Sequence, residues 1–283
     1  MTGRHPEGGP SRRGVLLGLG AGTLGAAAAL GGIAAGAGGT ARAQTTPPPT
    51  QTNVDDAPAG HPEAAAQRVP FHGPHQAGIT TPRPASGIIA AFDMVATSLD
   101  DVERMLRLLT ERAEFLTRGG EVPDRDPKLP PADSGILGPV VAPDNLTITL
   151  GLGASFFDSR PELAALRPAR LERMTQFPND ALVAEDCHGD ISLQFCANLQ
   201  DTNLHALRDI VKNLSEFLVL RWMIEGSVPP VPPAPDGTTP SARNLLGFRD
   251  GSANPDAGDP EQMARIVWTS GADEPAWTHG GSY

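Results

Sequence analysis

An apolar, β-branched run over residues 86–97 (SGIIAAFDMVAT) predicts a buried strand. Ser98 follows it with Asp101 three positions on, and Leu99, Val102, Leu106, Leu109, Ala113 and Leu116 then recur every three or four residues up to Gly119-Gly120. That spacing predicts an amphipathic helix with a side-chain cap at its start and a glycine stop. The Pro/Asp-rich residues 121–143 read as a long loop, and Asn145–Leu152 alternates as a second strand. Pro161, Pro168 and Pro178 limit residues 155–186 to short helical pieces. Asp190–Asn198 alternates again, with Ile191, Leu193, Phe195 and Ala197 on one face. A second helix from about Asp201 carries the stripe Leu204, Leu207, Val211 and Leu214. Phe217–Ile224 (FLVLRWMI) either continues that helix or forms a fourth strand; its apolarity on all sides and the stop at Gly226 favour the strand. The order β-α-β-β-α-β predicts an α+β, ferredoxin-like domain over residues 71–226.

Residues 227–242 contain six Pro and no apolar period, so they form a linker. Residues 243–283 hold a Gly/Asp/Asn-rich loop at 244–260 and a short strand or helix near 262–268, and read as the incomplete start of a second ferredoxin-like domain. At the other end, residues 14–39 carry no charge, yet ten of these 26 residues are Gly, which makes a weak membrane span. Ser11-Arg12-Arg13 precede the stretch and Ala41-Arg42-Ala43 follow it. Paired arginines, a mildly apolar middle and a small-x-small site predict a twin-arginine signal peptide over 1–43, with an uncleaved anchor as the alternative. Residues 44–70, rich in Thr, Pro, Ala and Asp, read as a disordered linker.

Charge narrows the function. The 283 residues carry 22 basic and 33 acidic side chains, a net −11; loss of the leader would remove four Arg and one Glu and leave −14. Binding phosphate needs a basic face, so a nucleic-acid partner is not expected. Two Cys exclude a disulfide-dense scaffold and a four-thiolate zinc site. No Gly-x-Ser-x-Gly elbow supports a hydrolase. Export through a route for folded proteins favours a cofactor inserted before export, and the expected location is the periplasm, the cell surface or outside the cell.

The sharpest local pattern is Asn244-Leu245-Leu246-Gly247-Phe248-Arg249-Asp250-Gly251-Ser252-Ala253-Asn254-Pro255. An acid with glycines three before and one after lets the backbone turn tightly and approach a ligand; composition alone favours a simple turn. The segment GFRDG followed by SANP resembles the GxxDG motif of the dye-decolourising (DyP-type) haem peroxidases, nearest to their exported, twin-arginine branch linked to iron uptake. Val69–Thr80, Arg221–Gly226 and Trp277–Tyr283 are similar to that branch as well, so the resemblance runs from about residue 69 to the last residue.

The resemblance implies two ferredoxin-like domains around one haem b, with a proximal His and a distal Asp and Arg. By motif Asp250 takes the distal acid/base position, and Gly251, Ser252 and Ala253 match residues lying against the haem. Phe248 is expected as an apolar wall. Hydrogen peroxide must lose the proton of one oxygen and regain it on the oxygen that leaves as water, and a carboxylate of ordinary pKa, about 3.9, can shuttle it at mildly acidic pH. The implied partners are hydrogen peroxide and bulky aromatic donors, with iron-uptake components and a homo-oligomer for the intact protein. Iron release from haem is a further implied role.

The axial His and distal Arg positions of the family lie downstream, so the chain reads as C-terminally truncated, with the metal ligand expected beyond residue 283. None of the histidines, at 5, 61, 72, 75, 188, 205 and 279, stands in the axial context. His205 and Asp209, four apart on a helix, are expected as a surface pair. His72 and His75 lie on no regular element and make a poor metal pair. Cys187 and Cys196 either pair or stay as buried thiols. The rival reading is a non-catalytic exported α+β binding module.

Overall fold

The structure, a computed structural model, describes residues 65–283 other than Pro127, Ser159, Pro229, Pro230, Thr239, Asp250 and Ser252. The leader expected over 1–43 and the linker up to residue 64 lie outside the described residues. The elements follow the expected order. Strand β1 spans Ser86–Met94, helix α1 Leu99–Arg118, and the short strands β2 Gly120–Glu121 and β3 Val140–Val141 close the long loop at its base. Strand β4 is Thr147–Leu152, followed by the short helices α2 Ala154–Asp158 and α3 Pro161–Ala164, as the prolines require. Then come β5 Ile191–Ala197, α4 Gln200–Asn213, and β6 Leu218–Ser227, which confirms the strand over the continued helix. The four long strands form one antiparallel sheet in the order β4-β5-β1-β6, the ferredoxin-like arrangement.

Register explains the core. Ile88, Ala90 and Phe92 of β1 stand opposite Phe195, Leu193 and Ile191 of β5, so one sheet face is continuously apolar. Against it pack Met105, Leu109 and Leu116 of α1 and Ala206, Leu207 and Ile210 of α4, in a single buried cluster. Helix α1 starts as its sequence predicts: the Ser98 hydroxyl accepts from Asp101 N at 3.1 Å and donates to the Asp101 carboxylate at 2.8 Å.

Helix α4 departs from the expected stripe. Val211 is half-exposed, whereas Thr202, Asn203, His205 and Asp209 are buried. The polar residues face inward because they have partners there. Arg112 of α1 donates to both carboxylate oxygens of Asp209, at 2.9 and 2.7 Å, and Ser134 of the long loop meets Nδ1 of His205 at 2.6 Å. The surface pair expected for His205 and Asp209 is therefore wrong: both side chains are internal, and Asp209 pairs with Arg112.

The chain before β1 covers the free edge of β4. The Gln76 carboxamide accepts from Leu150 N at 2.9 Å and donates to Leu150 O at 3.0 Å, so a side chain completes the ladder that a further strand would have made. Thr149 donates to Ala77 O at 2.7 Å. At Gly78 (φ +98°) a Cβ would stand 2.1 Å from Thr149 Oγ1, so the segment crosses here on a residue that only glycine can be.

Beyond β6 the segment forms helix α5, Pro260–Ile266, capped by Asp259, and resolves the short strand-or-helix alternative as helix. Its continuation packs back on earlier residues. Trp277 stacks near Phe157 and donates to Leu166 O, while Glu274 accepts from Ala169 N and from the Tyr283 hydroxyl. His75 stacks on Trp268 with centroids 3.6 Å apart and meets Gly280 O at 2.7 Å, which fastens the N-terminal arm to this segment. No helix among the described residues is long and apolar enough to cross a membrane.

Candidate functional site

The turn singled out by sequence is built around one side chain. Asn244 Oδ1 accepts from Leu246 N at 3.0 Å and from Phe248 N at 3.1 Å, an Asx turn, while its backbone N–H donates to Phe248 O at 2.8 Å. Gly247 closes the turn at φ +86°, donating to Asn244 O at 2.9 Å. The guanidinium of Arg243 donates to Gly247 O and that of Arg249 to Ser241 O, so the two strands of the turn are laced from both sides. Gly251 is also left-handed, at φ +78°, and Asn254 N donates to Gly251 O at 3.1 Å. Position 250 is thus bracketed by two turns that both depend on glycine.

The backbone N–H groups of Asn244, Leu246, Gly247, Phe248 and Asn254 are hydrogen-bonded within the segment, yet its large side chains stand in solvent. Leu245, Leu246 and Phe248 are 107%, 81% and 68% exposed. Three large apolar side chains are thus left in water on a polar-stapled turn, an arrangement that points to a partner group covering them. Gly251 and Ala253, in the second turn, are exposed as well. Asp250 and Ser252 lie outside the described residues.

The other chemistry-bearing residues are dispersed. His72 lies 3.8 Å from Glu114, His75 is stacked on Trp268, His205 is internal and His279 meets Gly271 O at 3.1 Å. Among the described residues no group of three His, Cys, Asp or Glu could hold a metal ion. Cys187 and Cys196 are free thiols, which settles the open alternative against a disulfide; burial raises the Cys196 thiol above its ordinary range. An open groove of about 610 Å³ along α1, lined by Leu99, Val102, Leu106 and Leu163, shares no residue with the turn. Its lining is mixed, with Glu103, Arg107, Thr110, Glu111 and Glu114 beside the apolar side chains.

Sequence reasoning missed the contacts that hold β6 to the loop before β5. Arg221 reaches Asp93 at 3.1 Å and Ala184 O at 2.8 Å, and the Trp222 indole donates to His188 O at 2.8 Å. The only signal for them was the similarity of 221–226 to a known family.

Comparison with known proteins gives a consistent result. Residues 76–227 match the family description "Dyp-type peroxidase, N-terminal" and residues 241–283 match "Dyp-type peroxidase, C-terminal". The chain is 52% identical over 225 residues to the deferrochelatase of Escherichia coli (strain K12), and equally to that of Shigella boydii serotype 4, covering 78% of this chain and 53% of each relative. The chain thus spans about half the length of the curated relatives it matches. Among solved structures it resembles a DyP-type peroxidase from Cellulomonas bogoriensis (TM-score 0.64, 34% identity, 77% of this chain and 56% of that one). Ferric DtpA from Streptomyces lividans is similar as well (TM-score 0.63, 29% identity, 78% and 57%). The ferredoxin-like sheet, the glycine-bracketed turn and these matches together show that the chain belongs to the DyP-type peroxidase family.

Proposed function

We propose that this chain belongs to an exported haem peroxidase that reduces hydrogen peroxide at the expense of bulky phenolic or dye-like donors, with its 244–254 turn on the haem side. The observation that carries the reading is the 244–254 turn, whose engaged backbone and bare apolar side chains fit one wall of a porphyrin pocket. Leu245, Leu246 and Phe248 would contact the ring, with Gly251, Ser252 and Ala253 letting the backbone come close to it. When bound, haem supplies the iron that accepts peroxide and stores its oxidising equivalents.

The chain's own contribution is proton transfer. Asp250 would take a proton from one peroxide oxygen and return it to the other, which departs as water. A carboxylate stays a base in mildly acidic solution, where an imidazole would be charged, so the activity is expected to favour acidic pH. Support for Asp250 comes from its place in GFRDG and from the left-handed glycines on both sides. The likeness to deferrochelatases supports a second activity, release of iron from haem, at the same pocket. Arg12-Arg13, the Gly-rich stretch and Ala41-Arg42-Ala43 support export by the twin-arginine route, to the periplasm or beyond, with the two-domain plan of 71–226 and 243–283 following the leader.

The test has two arms. Haem added to the chain in its natural full-length form should give a Soret band that peroxide shifts; no band, or one indifferent to peroxide, overturns the reading in favour of a binding module. Asp250→Asn should slow the first reaction with peroxide in stopped flow by about 10²–10⁴-fold, the range of general acid–base catalysis, with haem still bound. An unchanged rate moves the proton carrier elsewhere.

A further inference from the structure

Where the long loop 122–139 between β2 and β3 meets α4, it brings a hydroxyl, an imidazole and a carboxylate together. Ser134 Oγ stands 2.6 Å from His205 Nδ1, and Asp133 Oδ2 stands 3.6 Å from His205 Nε2. His205 is 1% exposed and Asp133 4%, and neither Asp133 Oδ2 nor His205 Nε2 has a hydrogen bond. A carboxylate can only accept, so it favours the ring form that carries its hydrogen on Nε2; Nδ1 then presents a lone pair to Ser134. Ser134 Oγ accepts from Ile136 N at 3.3 Å, which leaves its own hydrogen for Nδ1. The carboxylate is itself fixed, Asp133 Oδ1 accepting from Gly135 N at 2.9 Å.

We propose that Ser134 is an activated nucleophile, with His205 as its base and Asp133 as the residue that positions the imidazole, and that it takes acyl or phosphonyl groups from donors with good leaving groups. The order hydroxyl, imidazole, buried carboxylate is the arrangement that nucleophilic serine chemistry requires. At 3.6 Å the imidazole–carboxylate contact is longer than a hydrogen bond, as such contacts often are before charge develops on the ring. The approach is open on one side: Ser134 is half-buried, and a Cβ on the exposed Gly135 next to it would meet nothing within 4 Å. Lys212 Nζ donates to the carbonyls of Pro131 and Asp133, the latter in the peptide unit that leads into Ser134. Those bonds use two of its three hydrogens and leave one for an oxyanion formed there.

In the step itself, the Ser134 hydroxyl hydrogen passes to Nδ1 while Oγ bonds to the acyl carbon or phosphorus. The bond to the leaving group breaks, and the ring then gives its extra proton to the departing group or to solvent. The imidazolium formed in between turns its Nε2–H toward the unpaired Asp133 oxygen, so that contact tightens as the charge appears. Asp133 on the loop and Asp209 on α4 favour the charged ring, Arg112 on α1 opposes it, and Lys212 adds a further positive charge on α4. Asp209 is already held by Arg112 at 2.9 and 2.7 Å, which leaves Asp133 as the carboxylate that answers the ring. Burial keeps the resting ring neutral and lowers its pKa from 6.5, so it is available as a base at neutral pH. The inference uses no haem and stands apart from the peroxidase reading.

Reaction of the full chain with a fluorophosphonate, quenched in acid and mapped by tandem mass spectrometry, tests it. The Oγ–P bond, formed as fluoride leaves, should appear at Ser134 at least about 10²-fold faster than at the other serines, the contribution of a positioned base. The rate should rise with pH as the ring loses its second proton and level off above 6.5. His205→Gln should bring Ser134 down to the rate of the other serines, and Asp133→Asn should move the midpoint of the pH profile lower, because the carboxylate that favours the charged ring is gone. A smaller excess at Ser134, a rate that keeps climbing with pH past neutrality, an undiminished rate in His205→Gln or an unmoved midpoint in Asp133→Asn overturns the proposal. If either variant does not fold, the excess at Ser134 and the pH profile of the unmodified protein decide.

Discussion

Removing the carboxylate of Asp209 should destabilise the domain far more than removing the whole Arg112–Asp209 pair. Asp209 is fully buried and the Arg112 side chain is 16% exposed, with two hydrogen bonds at 2.9 and 2.7 Å joining α4 to α1. Breaking a buried pair by deleting one partner costs about 3–5 kcal/mol, because a desolvated charge is left alone. Arg112 keeps two compensations: its guanidinium lies 4.9 Å over the Phe115 ring, and its slight exposure lets water reach it. The expectation for Asp209→Ala is therefore roughly 2–4 kcal/mol, or a fall in Tm of roughly 4–16 °C for a unit of this size. Arg112→Met combined with Asp209→Leu restores an apolar contact and should lie within about 1 kcal/mol of the parent. Urea and thermal unfolding of the parent, Asp209→Ala and the double variant, read by circular dichroism, give the numbers. If the double variant is as unstable as Asp209→Ala, the loss is one of packing and the charge argument fails.

Two further outcomes are expected. Gly78→Ala, at φ +98° with its Cβ directed 2.1 Å from Thr149 Oγ1, should cost about 1–3 kcal/mol and open residues 66–80 to proteolysis, because the segment must lift off β4; full resistance would mean the crossing adapts. Titration of the unfolded chain with a thiol reagent, without reductant, should count two thiols; zero would mean that Cys187 and Cys196 do pair.

Where the amino-acid order foretold the structure, the deciding forces were local. Strand β5 shows it: Ile191, Leu193, Phe195 and Ala197 alternate, and those four are the buried ones. Ser98 and Asp101 stand where a cap requires them, and cap. The stripe of α4 misled because Val211 is apolar and Asp209 is charged, which by composition alone sends them the wrong way. Their true orientation depends on Arg112, 97 residues away from Asp209, and on Ser134, 71 away from His205. Gln76 as edge cover of β4 and His75 stacked on Trp268 are equally non-local, and no periodicity announces them. The 244–254 turn was legible as a turn from its Asn and Gly, but Asn244 as its organiser emerged only with the fold.

Two inversions of the ordinary rule remain, and they bear on function together. Polar groups sit inside where the loop meets α4, at Asp133, His205 and Asp209, and apolar groups sit outside on the turn at Leu245, Leu246 and Phe248. Each costs free energy as it stands: the first by desolvating ionisable groups, the second by holding aliphatic and aromatic surface in water. A sequence optimised for stability alone would exchange the two sets, placing leucines against α4 and serines on the turn. The polar cluster fastens the loop to α4 by directed hydrogen bonds, which leucines would not supply. The apolar turn keeps a surface ready for a flat apolar group, which serines would leave to water. Departures from the local rules concentrate where a protein must do something besides fold. That reasoning selects the same two places, the 244–254 turn and the 122–139 loop, that the geometry picks out independently.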